Sequence, residues 1–168
     1  MEEKNTDDTD VLDKIRNVST SALKCMQCGI CSSSCPSGRH TSLNIRKLVK
    51  IAGKSIDILS NEELWMCTTC YNCQERCPRN IDIVDILLNI RAISVQNGNI
   101  HPEHRIVCEM LLEYGHAVPI NKQNRNERVN LGLEELPETV HKYEDGLEEV
   151  KILLGSCGFG KLIEQTES

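Results

Sequence analysis

Apolar residues recur along the chain at the three- and four-residue spacing of a helix, whereas the alternation typical of β-strands is scarce. Near the start, Asp10 is placed to cap a short helix whose apolar positions extend to Val18. An apolar stripe from Leu48 to Ala52 indicates a second helix, and Gly53 follows it as a stop signal. The pattern therefore predicts a mainly α-helical fold.

Helical signals continue through the middle of the chain. The stretch Ser60–Glu63 matches a capping box and starts a helix that runs towards Cys67. Apolar spacing predicts a long helix over residues 82–98, and Pro102 suits the first turn of a further helix that ends near Tyr114. The polar residues that follow indicate a loop or linker.

These elements suggest three parts. Residues 1–20 form an N-terminal tail with a short helix, residues 21–115 form the helical domain, and residues 116–168 form an irregular, loop-rich extension whose polar start is residues 116–130. The extension has one short helix before Gly146. It ends on an apolar and glycine-rich segment, residues 152–160, which suits docking against a partner protein.

The composition leaves little material for a large apolar core. Only 3% of the 168 residues are aromatic and 39% are hydrophobic, so something besides apolar burial is expected to hold the fold. The formal net charge of −6 argues against a nucleic-acid binder. No apolar run is long enough for a membrane span and the acidic start is unlike a secretory signal, so we expect a cytoplasmic protein.

The positive charges are concentrated in one stretch. Residues 39–54 carry five basic residues and no acidic one. This stretch is either a solvated helix face or a docking face for an acidic partner.

Ten cysteines are the most informative feature, because thiols in the cytoplasm bind metals more often than they form disulfides. Eight of them lie in a unit, C-x2-C-x2-C-x3-C-P, that occurs twice. The first copy is Cys25, Cys28, Cys31 and Cys35-Pro36, and the second copy is Cys67, Cys70, Cys73 and Cys77-Pro78.

Three closely spaced cysteines reach three corners of one iron–sulfur cube. In the bacterial two-cluster pattern with this spacing, the fourth cysteine binds the other cluster. We therefore predict two [4Fe-4S] clusters with crossed ligands. The first takes Cys25, Cys28, Cys31 and Cys77, and the second takes Cys67, Cys70, Cys73 and Cys35.

Several neighbours of these cysteines suit a cluster. Gly29 allows a close approach of the backbone, and prolines stiffen the exit from each copy. Basic residues nearby are expected to offset the negative clusters, although each is also an ordinary surface charge: Lys24, Arg39, Arg76 and Arg79.

Zinc is the alternative for these cysteines, but all-cysteine zinc sites usually take their ligands in two pairs. Cys108 is interpreted as a small buried thiol of its helix, and Cys157 has no assigned role. The five histidines show no metal-like pairing. No phosphate loop, nucleophile–base pair or carboxylate pair is present, so no catalytic residue is assigned.

The two cysteine units, the helical connector between them and the total length make the chain similar to the C subunit of soluble heterodisulfide reductase from methanogenic archaea. The connector resembles that of an α-helical ferredoxin. Proteins of the catalytic B-type carry CCG motifs, whereas Cys157-Gly158 here follows Ser156.

This resemblance implies an electron-transfer subunit of an oxidoreductase complex in methanogenesis, which is not catalytic alone. Its partners would be a flavin-containing A-type subunit, a disulfide-reducing B-type subunit and, indirectly, a hydrogenase or formate dehydrogenase. The B-type subunit reduces the mixed disulfide of coenzyme M and coenzyme B. Two alternatives remain at this point: the iron–sulfur subunit of a quinone-linked dehydrogenase, and a zinc-stabilised interaction module.

Overall fold

Helices form all of the regular structure in residues 8–164, the part of the chain that this computed structural model describes. No β-strand is present in that range, and the prediction of a mainly α-helical fold is confirmed. The chain divides between Asn99 and Ile100 into two compact units. Across the described range, no helix is long and apolar enough to cross a membrane.

The first unit contains five α-helices in its described part, two of them single turns that carry cysteines. They are α1 (Asp8–Val18), α2 (Ile30–Ser33), α3 (Ile45–Ile51), α4 (Asn72–Glu75) and α5 (Ile83–Gln96). Short 3₁₀ helices connect them, at Thr20–Lys24, Ser37–Arg39, Ile56–Ser60 and Glu62–Met66.

Helix α5 is the central element of the first unit, because it buries two neighbouring faces. Ile83, Leu87 and Ile90 are almost completely buried, and α5 packs against α1 and the 3₁₀ helix Ile56–Ser60. Each such side chain contributes about 1.5–3 kcal/mol of burial free energy. The buried Ser94 hydroxyl donates a hydrogen bond to the Leu59 carbonyl at 2.6 Å, which fixes α5 against the connector.

Most helices predicted for the first unit are present, with local differences at their starts. Asp10 lies in the first turn of α1 and pairs with Lys14 there. The predicted capping box does not form with Ser60, since Asn61 is the cap and its side chain accepts a hydrogen bond from the Glu63 amide at 2.9 Å. The segment that follows, Glu62–Met66, is a 3₁₀ helix that leads directly into the second cysteine unit.

The second unit is also helical in its described part. It contains α6 (Pro102–Tyr114), α7 (Lys122–Asn130), a 3₁₀ turn at Val140–Lys142, α8 (Gly146–Ser156) and α9 (Phe159–Glu164). Helix α6 packs with α8 and α9. The predicted grouping of residues 21–115 therefore differs from the observed one, in which α6 belongs with the C-terminal helices.

Two expectations for the C-terminal extension were wrong. Part of the expected loop, residues 122–130, is helix α7, which begins where the Asn121 side chain accepts a hydrogen bond from the Asn124 amide at 2.8 Å. This helix is polar throughout, so the apolar pattern could not reveal it. The expected helix before Gly146 is only a 3₁₀ turn, and α8 starts at that glycine. The extension is therefore largely helical.

Candidate metal centre

The two cysteine units adopt the same backbone conformation. Their first cysteines, Cys25 and Cys67, have φ and ψ of −70° and 117° and of −74° and 121°. The residue before the second cysteine is left-handed in both copies, with φ of 59° at Gln27 and 52° at Thr69. Alternation of left- and right-handed residues turns successive amides inwards, which makes a concave site for an anion.

The residue after the second cysteine is also left-handed in both units. It is Gly29 in the first copy, with φ of 85°, and Tyr71 in the second, with φ of 62°. Each caps the short helix that carries the third cysteine. A tyrosine in this conformation is strained relative to glycine, so the surrounding structure must hold it.

The residue after the third cysteine anchors the next helix in both copies. The Ser32 hydroxyl accepts a hydrogen bond from the Arg46 amide at 2.9 Å, at the start of α3. The Gln74 side-chain oxygen accepts one from the Val84 amide at 2.9 Å, at the start of α5. The repeat therefore extends from the cysteine turn to the helix behind it.

Reciprocal hydrogen bonds join the end of each cysteine unit to the start of the other. Two residues after Cys35, the Ser37 hydroxyl donates to the Met66 carbonyl at 2.7 Å. Two residues after Cys77, the Arg79 Nε donates to the Lys24 carbonyl at 3.2 Å. Since Met66 and Lys24 directly precede the first cysteines, each fourth cysteine is tied to the beginning of the opposite copy.

One cavity collects four cysteines from both copies. Cys25, Cys28 and Cys31 line it together with Cys77. Burial raises the pKa of the Cys31 thiol, and the neighbouring thiols of Cys25 and Cys28 raise it further. The donor set of four cysteines fits a [4Fe-4S] cluster, which is bound through four thiolates.

The second group centres on Cys73, which is only 4% exposed. Burial raises the pKa of its thiol to about 12, and nearby thiols add to this effect. They belong to Cys67, Cys31, Cys35 and Cys70, in that order of influence. Cys73 therefore lies near thiols of both copies, Cys35 and Cys31 of the first among them. Iron binding replaces these thiol protons, so a cluster removes the cost that burial imposes on separate thiolates.

Within the described residues, hydrogen bonds reach the sulfurs of Cys25 and Cys35, and the sequence pattern did not predict either of them. The Gln27 amide Nε2 lies 3.2 Å from Cys25 Sγ, and the Gly38 backbone amide lies 3.3 Å from Cys35 Sγ. A side chain at Gly38 would place its Cβ 2.7 Å from the Leu43 carbonyl oxygen. Glycine is therefore required for this approach of backbone to sulfur.

Arg91 is a further functional residue, and the cysteine motifs do not indicate it. Its guanidinium is half-buried and donates hydrogen bonds to the carbonyls of Leu64 and Cys67, while it packs on the Trp65 ring. The sequence signal that could have found it is a basic residue between the apolar positions of α5. Arg46, from the basic stretch, lines the first cavity.

The other basic residues that the sequence predicts beside the clusters lie at the surface, and the last two cysteines lie outside the repeated units. Lys24, Arg39 and Arg76 have exposed side chains. Cys108 is half-buried in α6 rather than fully buried, and burial raises the pKa of its thiol. Cys157 is exposed and donates to the Leu154 carbonyl.

Across residues 8–164, no three His, Cys, Asp or Glu side chains surround the position of a single metal ion. A cluster of four irons and four sulfides takes its cysteines from further apart than one ion does.

The comparisons with known proteins agree with this arrangement. Residues 21–81 match the 4Fe-4S dicluster domain. The C subunit of the ferredoxin:CoB-CoM heterodisulfide reductase of Methanosarcina mazei is 49% identical over 154 residues, covering 91% of this chain and 96% of that protein. The C subunit of the ferredoxin/F420H2-dependent CoB-CoM heterodisulfide reductase of Methanosarcina acetivorans is 52% identical over 142 residues, 84% of this chain and 88% of that protein. The chain belongs to the family of heterodisulfide reductase C subunits.

More distant members of the family match over a similar length. The C subunit of the H2:CoB-CoM heterodisulfide,ferredoxin reductase of Methanothermobacter thermautotrophicus is 42% identical over 159 residues, 93% of this chain and 86% of that protein. As a member of this family, the protein is an iron–sulfur component of an oxidoreductase complex and carries two [4Fe-4S] clusters. The zinc and quinone-linked alternatives are therefore set aside.

Proposed function

We propose that this protein relays single electrons from a flavin-containing A-type subunit to a B-type subunit that reduces the mixed disulfide of coenzyme M and coenzyme B. The complex would act in methanogenesis in the cytoplasm, with a hydrogenase or formate dehydrogenase as the indirect electron source. The chain itself would supply no catalytic residue. Its residues would hold the clusters, shield them from water and bring them to the partner subunits.

We propose the crossed ligand sets for the two clusters. The first set is Cys25, Cys28, Cys31 and Cys77, and the second set is Cys67, Cys70, Cys73 and Cys35. The observation that supports this assignment best is the reciprocal pair of hydrogen bonds, from Ser37 to the Met66 carbonyl and from Arg79 to the Lys24 carbonyl. These bonds support a position of each fourth cysteine near the opposite copy, and Cys35 is among the thiols that raise the pKa of Cys73.

The arrangement suits a relay with two ends. The third cysteines, Cys31 and Cys73, are 9% and 4% exposed, and their helices α2 and α4 pack together. Their thiols lie near enough for Cys31 to influence the pKa of Cys73. The second cysteines, Cys28 and Cys70, are exposed. Each bound cluster, which supplies one-electron chemistry, would thus have a buried side facing its neighbour and a side facing a partner subunit.

The C-terminal helices offer a surface for assembly. Ile152 and Leu153 of α8 are 62% and 66% exposed. Contiguous exposed apolar patches on soluble proteins mark interaction sites. We propose that the segment 152–160 docks on a partner subunit, the disulfide-reducing one.

The decisive experiment is anaerobic loading of the full chain with iron and sulfide, followed by stepwise addition of partner subunits. We expect about eight irons per chain, bleaching by dithionite and no heterodisulfide reduction by this protein alone. Reduction should begin when the B-type subunit is added with an electron donor, and flavin-dependent reduction should also require the A-type subunit. Heterodisulfide turnover by the isolated chain would contradict the relay, and saturation at four irons would contradict the two ligand sets.

A further inference from the structure

The guanidinium of Arg91 occupies an unusual position for a positive charge. It is half-buried on α5, and its Nε and Nη2 donate to the Leu64 carbonyl at 2.9 and 2.7 Å. The same Nη2 donates to the carbonyl of Cys67 at 2.7 Å. The Trp65 ring covers it, with the guanidinium carbon 5.6 Å from the ring centre. The charge is therefore fixed beside the first cysteine of the second unit.

Holding this charge away from water has a cost. Burial lowers the pKa of Arg91, and the neighbouring Cys67 raises it as a thiolate. Arginine nevertheless remains protonated in proteins, so the site keeps its positive charge. A neutral side chain could donate hydrogen bonds to the same carbonyls. The hydrogen bonds alone therefore do not account for a positive charge at this position.

The first cysteine unit has an exposed arginine near its first cysteine. Arg79 donates to the carbonyl just before Cys25, and its side chain is exposed. Water and salt weaken the field of an exposed charge, whereas a partly buried charge acts through a lower effective dielectric constant. The two cysteine groups are thus similar in backbone and unequal in their electrostatic surroundings, because Arg91 is half-buried whereas Arg46 and Arg79, which line the first cavity, are exposed.

We infer that Arg91 raises the reduction potential of the cluster bound by the second cysteine unit, relative to the potential it would have without this charge. The inference rests on the proposed ligand sets. One electron converts the oxidised cluster with four thiolates, of charge about −2, to charge about −3, with no bond made or broken. In the complex the electron comes from the donor subunit, and in a titration it comes from dithionite. A fixed positive charge stabilises the more negative state, so reduction of the second cluster is easier with Arg91 than without it.

The test compares variants that separate charge from hydrogen bonding. Arg91→Gln retains an amide donor without charge, and Arg91→Lys retains the charge without the planar fork. Arg76→Gln is the control, because it removes an exposed arginine next to Cys77, a proposed ligand of the first cluster. Each full-length chain is loaded with iron and sulfide, its iron is counted, and both cluster signals are followed by EPR during a dithionite titration. Cys70→Ser identifies the signal of the second cluster by altering its spectrum.

We expect Arg91→Gln to lower the reduction potential of the second cluster. At a fixed applied potential, the ratio of reduced to oxidised second cluster should fall at least tenfold, which corresponds to about 59 mV for one electron. Arg91→Lys should change that ratio less than threefold, and Arg76→Gln should change the corresponding ratio of the first cluster less than threefold. Equal shifts in Arg91→Gln and Arg91→Lys, or no shift in Arg91→Gln, would overturn the inference. A shift of the same size in the first cluster of Arg76→Gln would also overturn it, because burial would then not matter.

A second variant covers the case in which Arg91→Gln does not bind eight irons. Leu88→Glu places a carboxylate three residues before Arg91 on α5, at a position that is 40% exposed, and leaves the arginine bonded. Its partial neutralisation of the charge should lower the same ratio at least threefold, and an unchanged ratio would overturn the inference. Wild-type protein that lacks eight irons would instead refute the cluster assignment.

Discussion

Ser37 and Arg79 stand at equivalent places in the two cysteine units, and each donates a hydrogen bond to the carbonyl that precedes the first cysteine of the opposite unit. The donors differ, a hydroxyl in one case and a guanidinium in the other, but the connection is the same. The two cysteine units are therefore joined by a reciprocal pair of hydrogen bonds. This reciprocity makes cluster binding and folding of the first unit interdependent.

The crossed assignment predicts distinct effects for the two fourth cysteines. Cys35→Ala should disturb the cluster whose other ligands are Cys67, Cys70 and Cys73, whereas Cys77→Ala should disturb the cluster in the Cys25–Cys31 cavity. EPR of the reduced variants, compared with Cys70→Ser as the marker of the second cluster, measures this. A Cys35→Ala protein that lost only the signal of the Cys25–Cys31 site would show that ligation is not crossed.

Removing one of the reciprocal hydrogen bonds should accelerate cluster loss. Ser37→Ala leaves all eight cysteines in place but removes a bond of about 1 kcal/mol, which corresponds to about a fivefold change in an equilibrium. We expect iron release to a chelator to be about fivefold faster under anaerobic conditions. Ser33→Ala is the control, because the Ser33 hydroxyl bonds only within its own helix turn, to the Ile30 carbonyl. Equal release rates for the two variants would contradict the role of the reciprocal bond.

The proposed docking segment predicts an assembly defect without a cluster defect. Ile152→Gln combined with Leu153→Gln replaces two exposed side chains, so α8 should remain folded and about eight irons should still bind. Loss of apolar contacts should weaken co-purification with the B-type subunit at least tenfold, and heterodisulfide turnover of the complex should fall with it. Lys151→Gln, an exposed neighbour on the same helix, serves as the control. Normal assembly of the double variant would show that this segment is not an interface.

A histidine pair predicts acid sensitivity in the second unit. The rings of His116 and His141 stack with centroids 5.2 Å apart, and His116 Nε2 lies 2.8 Å from the Thr139 hydroxyl. Burial lowers the pKa of His116, and the charges of His141 and Arg128 lower it further. The unfolded chain therefore takes up a proton near pH 6.5, before the folded chain does, so stability falls as the pH drops below that value.

Hydrogen exchange of the full chain at pH 7.5 and pH 5.5 tests this expectation. Protection of the segment 114–142 should decrease at the lower pH, after correction for the intrinsic exchange rate, while protection of α5 should not. His116→Gln cannot take up the proton, so it should show a smaller decrease. An equal decrease in the wild type and the variant would assign the effect to other groups.

The local part of this protein could be predicted from sequence because it depends on short-range geometry. The spacing of Cys25, Cys28 and Cys31 fixes three ligands within one turn, and the proline after each fourth cysteine ends the unit. The cluster type followed from this spacing. The long apolar repeat likewise predicted α5, whose buried face starts after Asp82 as expected. In contrast, the sequence pattern did not predict α7, because this helix is marked by a cap and by polar pairs and has no apolar periodicity.

The sequence by itself determined the kind of metal centre and the helical class of the fold, since both depend on residues close together along the chain. Only the tertiary structure decided how the centre is assembled. The bond between Arg79 and the Lys24 carbonyl spans 55 residues, and that between Arg91 and the Cys67 carbonyl spans 24. Such contacts form only when helices pack, because they depend on directions of side chains that no linear spacing contains. The two cysteine groups therefore differ in their electrostatic surroundings because of packing, although their motifs are the same.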